Sequence, residues 1–245
     1  MKKIALTKLL LLASVSPVAL GLIAPAGAAD LPVKAPRVVA APAYSWTGCY
    51  AGVHLGWGWG HQDPSGTAVS SAAAVSAGAH GFESSGGLYG GQLGCNYQFA
   101  SNWVAGIEGG ISGANIHGTW NDPIIGTVGL RTNWIASVVG RLGVTTWNNQ
   151  LLFYVKGGAA WDHNHWDLST AFVPGPSFSE DRSGWTVGGG VEWAFMPRWS
   201  TFVDFSYYDF GDGSTVAWNG TNTFSTGRQH IEAVKIGLNY KFIGP

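Results

Sequence analysis

Charge is what this chain has least of. Asp, Glu, Lys and Arg make up 11% of its 245 residues, where about a quarter is usual. There is no basic excess and no basic patch, so the nucleic-acid footprint is missing. Long apolar runs are also missing. After residue 29 no uninterrupted run reaches the roughly 20 residues that a membrane-crossing helix needs. The glycine clusters "GGAA" at 157–160 and "GGG" at 188–190 are followed by no helical pattern, which excludes phosphate-cradling loops. A low-charge chain without spanning helices has one other way of living in a membrane, a closed β-barrel.

The N-terminus fits that route. Lys2, Lys3 and Lys8 precede an apolar run, Leu9 to Ile23, followed by "APAGAA" and Asp30. This reads as a secretory signal peptide over 1–29, since the apolar core is short for an anchor and ends in small residues. Its removal leaves ten bases against fourteen acids, a formal charge of −4. The following stretch, "DLPVKAPRVVAAPAYS", has three prolines and no period. It reads as an extended periplasmic leader over 30–45, outside the fold.

What the chain has in excess is glycine, 37 residues, and tryptophan, 13. From Trp46 onward they fall into one repeating pattern, about a dozen residues alternating apolar with small or polar, then a break. The expected strands are 46–60, 86–99, 103–115, 131–146, 151–162, 183–196, 200–210 and 229–242. Breaks at 61–85, 116–130, 163–182 and 211–228 are long, whereas those at "ASN", "WNNQ" and "PRW" are tight. Short periplasmic turns alternating with long extracellular loops are the pattern of a transmembrane barrel, and eight strands return both termini to the periplasm. The expected fold is therefore all-β, an eight-stranded antiparallel transmembrane up-and-down β-barrel over 46–245.

Alternation also assigns faces. Trp185, Val187, Gly189, Val191, Trp193 and Phe195 share one side, opposite Thr186, Gly188, Gly190, Glu192 and Ala194. The apolar side carries aromatics near both ends. Trp46, Phe99, Trp103, Trp147, Phe195, Trp199 and Phe242 gather at the tight-turn end, and Trp57, Trp59, Trp134, Trp161 and Trp185 at the other. Two aromatic girdles around an aliphatic band place that side in lipid. A soluble all-β protein would turn the same side inward.

The opposite side then lines a lumen so narrow that side chains fill it. Its charged members are Glu108, Arg141, Lys156, Glu192, Asp204 and Lys235, three acids and three bases. Taken as equidistant from their loop centres, they pair as Glu108–Arg141, Lys156–Glu192 and Asp204–Lys235. An unpaired charge there would cost about 3–5 kcal/mol, which favours a neutral plug over a wet lumen. The first hairpin has no such pair, and His54 and Gln92 take that place.

Cys49 and Cys95 point outward on adjacent strands of a chain exported to an oxidising compartment. A disulfide and two lipid-facing thiols both fit. Cys49–Cys95 and His54–Gln92 cannot both lie directly opposite, because their centres differ by one residue. "WDHNHWD" brings His163 and His165 onto one face, a weak candidate for a divalent transition metal that lacks further ligands; no cofactor is expected. For an enzyme, His54 and Ser112 in the lumen and His117, His230 and Ser183 near the outer rim supply no convincing triad.

"YSWTGCYAGVHLGWGWG", "GGLYGGQLGCNYQF", "NWVAGIEGG" and the ending "VKIGLNYKF" resemble the outer-membrane immunogenic proteins of alpha-proteobacteria, small porin-family barrels related to the OmpA-like membrane domain. "AADLPVKAP" resembles that family's leader. The cysteine at 49 departs from the family's "WTGFY". The resemblance implies a surface component supporting envelope integrity and contact with a host or environmental ligand, with no catalytic residues. It also implies that Leu238, Tyr240 and Phe242 carry the signal read by the outer-membrane assembly machinery. The chain is expected to be a monomer surrounded by lipid and lipopolysaccharide, with no C-terminal peptidoglycan-binding domain. A narrow porin is the second reading and a lipid-modifying enzyme the third.

Overall fold

The computed structural model describes residues 44–70, 73–77, 82–122, 126–169, 174–218 and 222–244. The expected signal peptide and the leader up to residue 43 lie outside them. Ten strands follow in order: β1 Gly48–Ser70, β2 Ala73–Ala77, β3 Phe82–Phe99, β4 Trp103–Asp122, β5 Gly126–Thr146, β6 Leu151–Ser169, β7 Pro174–Met196, β8 Trp199–Asp212, β9 Thr215–Trp218 and β10 Asn222–Ile243. Eight of them, β1, β3 to β8 and β10, form an antiparallel ring that β10 closes by pairing with β1. The short β2 and β9 extend the far ends of β1 and β10. Closure removes the open edge that a sheet of this length would otherwise present.

The tight-turn ends of the strands fall within two residues of expectation. The loop ends do not. β1 continues ten residues past Gly60, and β7 begins nine residues before Ser183. The regions expected as long loops are largely paired strand. The alternation that marks a strand in sequence comes from lipid on one side. It fades where the outer face meets water and the buried inner face turns polar, as at Gln62, Asn164 and Gln229, although backbone pairing continues. Register shifts at Asp63/Ser65, Gly113/Ile116, Thr132/Trp134 and Arg228/His230 lie in this far part of the ring, as bulges at barrel rims commonly do.

The ring is apolar outside. Val53, Ile107 and Val155 are 64%, 67% and 62% exposed, and the aromatics of both girdles point outward with them. So continuous an apolar band has no place in water. Trp46 is the exception to the expected girdle. It is 3% exposed and folds under the mouth of the ring, where its backbone N–H donates to Gln98 Oε1 and its indole N–H to the Asn149 carbonyl, at 2.9 and 2.7 Å. Tyr44 and Ser45, expected in the leader outside the fold, join it. The Lys241 ammonium donates to the Ser45 carbonyl (2.7 Å) and lies 4.5 Å from the Tyr44 ring centre. Burial pushes the Tyr44 hydroxyl up to about 12, and the negative charge of Glu192 adds to the shift.

Candidate functional site

The inward side chains stack in layers, and β6 passes through all of them. From tight turn to loop it presents Leu152, Tyr154, Lys156, Gly158, Ala160, Asp162, Asn164 and Trp166. The floor is apolar, with Trp46, Val104, Leu152, Tyr154 and Ala194 in one cluster. Above it lie the six charges. A second apolar cluster follows, formed by Leu88, Ile116, Ile135, Ala160, Tyr208, Phe210, Ile231 and Ala233. Beyond that is a polar layer, in which Asn164 donates to Asp162 and Gln229 (both 2.8 Å) and Arg182 pairs with Glu180 at 2.9 Å.

The charge layer is a network across the lumen. Arg141 reaches Glu108 with one guanidinium nitrogen (3.1 Å) and Glu192 with the other (2.8 Å), and its guanidinium lies 4.0 Å from the Tyr154 ring centre. It also donates to the Tyr50 hydroxyl, which donates in turn to Glu108 at 2.6 Å. Lys156 contacts Asp204 at 2.7 Å and Glu108 at 3.8 Å. Three acids and three bases leave the layer formally neutral.

The pairing differs from the sequence expectation. Glu108 and Arg141 touch, although the backbone sets Arg141 opposite Gly106 and Glu108 opposite Val139. Lys156 and Glu192 do not pair. Lys156 stands opposite Gly188 and Glu192 opposite Leu152, four residues out of step, so each turns to other strands. Asp204 and Lys235 are register partners, yet the Lys235 ammonium donates to the Tyr208 hydroxyl at 2.7 Å while Lys156 contacts Asp204.

His54 and Gln92 meet diagonally, within a directed chain of hydrogen bonds. Glu192 can only accept, so Asn239 turns its amide N–H toward it (2.8 Å) and its carbonyl toward Gln92 Nε2 (2.7 Å). Gln92 Oε1 must then accept from His54 Nδ1 (2.6 Å), and His54 Nε2 accepts from the Ser112 hydroxyl at 2.8 Å. Ser112, His54 and Gln92 thus have the connectivity of nucleophile, base and orienting group. All three are at most 6% exposed.

Cys49 and Cys95 are directly opposite, 4.0 Å apart at Cα, and joined in a disulfide. His54 faces Gly90, and Gln92 faces Gly52.

At the outer rim His163 bonds Asp181 at 2.6 Å and His165 bonds Ser179 at 3.0 Å. Among the described residues no three His, Cys, Asp or Glu side chains already surround one point as a metal site would. His117 and His230 line one outward depression, whereas Ser183 lies on β7 opposite Trp161, on another part of the wall. Sequence reasoning missed both apolar layers and the polar layer above them. Leu88, Ile116 and Ile231 carry no mark that separates an inward aliphatic from a lipid-facing one, apart from their even or odd position in a strand.

The family model described as outer membrane protein beta-barrel domain matches residues 17–242. The chain belongs to that family. The 31 kDa outer-membrane immunogenic protein of Brucella melitensis is 30% identical over 237 residues, covering 88% of this chain and 92% of the relative. The 25 kDa outer-membrane immunogenic protein of Brucella abortus is 26% identical over 215 residues, covering 86% and 85%. Among solved structures, the outer membrane protein OprG from Pseudomonas aeruginosa overlays with a TM-score of 0.48 at 12% identity, covering 82% of this chain and 99% of that one. This is an outer-membrane β-barrel protein, and the apolar band is its face toward lipid.

Proposed function

We propose that this barrel is a closed structural element of the outer membrane that presents its wide-loop end to the surroundings, and is neither a channel nor an enzyme. One observation carries the reading: a neutral charge layer, mutually hydrogen-bonded, lies between two apolar layers in a lumen of eight strands. An ion crossing it would have to separate buried pairs at about 3–5 kcal/mol each and also pass the apolar layers. The same packing keeps substrates from Ser112 and His54.

With the tight turns and both termini in the periplasm, the long strand extensions and their loops stand outside the cell. They are the surface available to a host or environmental ligand, and the immunogenic naming of the 31 kDa relative supports such exposure. The outward wall meets lipid and lipopolysaccharide around a monomer. Leu238, Tyr240 and Phe242 point outward on the closing strand β10, where the assembly machinery would read them. Planar-bilayer recording on the folded wild-type barrel tests the closed lumen. No steady conductance is expected at neutral pH. Sustained ohmic steps would overturn the plug in favour of a narrow porin.

A further inference from the structure

Just past the outer girdle, on the outward wall of β10, β1, β3 and β4, lies a depression of about 770 Å³. Five of its lining side chains can bind metal: His61, His117, His230, Glu83 and Glu232. None belongs to the lumen network, and Trp59 borders them on the membrane side.

The strand register creates the grouping. His61 on β1 is directly opposite His230 on β10 and, across its other edge, opposite Glu83 on β3. Glu232 follows two residues after His230 and so shares its face. On the next strand His117 stands opposite Ser85. The two paired imidazoles have ring centres 5.2 Å apart. A zinc–nitrogen bond of about 2.0–2.1 Å, with about 1.1 Å more to the ring centre, puts two imidazoles on one tetrahedral ion about 5.2 Å apart. The pair is therefore spaced as two ligands of a single ion would be. Imidazole with carboxylate is a donor set that suits late first-row divalent metals and does not suit magnesium or calcium. Glu83 and Glu232 add two carboxylates to the same depression.

We propose that His61 and His230 form the seat of an outward-facing zinc site, with Glu83 or Glu232 turning in as third ligand and water completing the tetrahedron. The carboxylate moves because it is an exposed side chain with free rotamers, while the imidazole pair is already held by the strands. The pair His163 and His165 differs. Those residues lie two apart along the single strand β6, with Asp181, Ser179 and Asp167 as partners, whereas His61 and His230 face each other across two strands. His61 also meets Asp63 at 3.4 Å, and His230 stacks on Tyr207.

The test uses untagged, chelator-stripped full-length barrel folded in detergent, titrated calorimetrically with zinc chloride. One equivalent should bind, magnesium chloride should give no heat, and His61→Ala and His230→Ala should each weaken binding about tenfold or more. A His163→Ala/His165→Ala double variant should bind as wild type does. In the unmodified protein, zinc should protect His61 and His230 from diethylpyrocarbonate and leave His163 and His165 reactive. The proposal fails if wild type takes up no zinc, if His61→Ala or His230→Ala keeps wild-type affinity, if the double variant loses it, or if zinc protects no histidine of the pair.

Discussion

Gly52 shows how much of the lumen depends on a side chain that is not there. A Cβ at this position would stand 2.0 Å from Asn239 Oδ1 and 2.3 Å from Gln92 Nε2, in the path of the hydrogen bond that joins them. Gly94 does the same for Tyr50, whose ring would lie 2.5 Å from an added carbon. Gly52→Ala should break the middle link of the Ser112–Glu192 chain and leave buried amides unpaired, at about 1–3 kcal/mol. The urea midpoint of unfolding in lipid vesicles should fall accordingly. Gly109→Ala, whose added carbon would meet nothing nearer than 4.0 Å, should change stability by less than about 0.5 kcal/mol. Arg141 is the opposite kind of residue, one that acts by what it supplies. It bridges Glu108 and Glu192, so Arg141→Met should strand two buried carboxylates and cost about 3–5 kcal/mol. In the same unfolding assay Arg141→Lys should recover part of that loss, because a lysine keeps the charge but lacks the fork that reaches both acids.

Among the elements, the first hairpin is the one held covalently. Cys49 and Cys95 link β1 to β3 near the tight-turn end, and a closed loop of this length is worth about 2–4 kcal/mol. Cys49→Ala/Cys95→Ala should lower the unfolding midpoint by that amount. Reductant should lower the midpoint of wild type and leave the double variant unmoved. The hairpins also mark the limit of what can be read from residues alone. The eight segments and their faces were legible because lipid forces apolar residues to alternate with everything else. Trp57, Val187 and Ile236 point outward as alternation requires. The extent of each strand beyond the outer girdle was not legible, since nothing in "HQDPSGTAVS" distinguishes a strand in water from a loop. The partners of the lumen charges were hidden for a different reason. Equal distance from a loop centre assumes a symmetric hairpin. The β6–β7 register departs from it by four residues, enough to bring Lys156 to Asp204 and Arg141 to Glu192.

At the scale of the whole molecule, two apolar layers lie inside the ring, and they are built by different means. The upper apolar layer comes from strand residues. The floor comes partly from Tyr44 and Trp46, which precede the first strand and cross under the mouth. Trp46 was legible as an aromatic at the tight-turn end, but its side of the wall was not, because alternation says nothing before a strand has begun. The disulfide also has a topological effect on the molecule. The Cys49–Cys95 bond makes a covalent circle of everything between them, including the far end of the first hairpin. A protease that nicks the chain anywhere in that circle produces new ends but no separate pieces. Limited digestion of intact cells, if it cuts between residues 63 and 83, should leave a full-length band on a non-reducing denaturing gel and two fragments once reductant is added. A barrel nicked in this way stays one molecule until the bond is reduced.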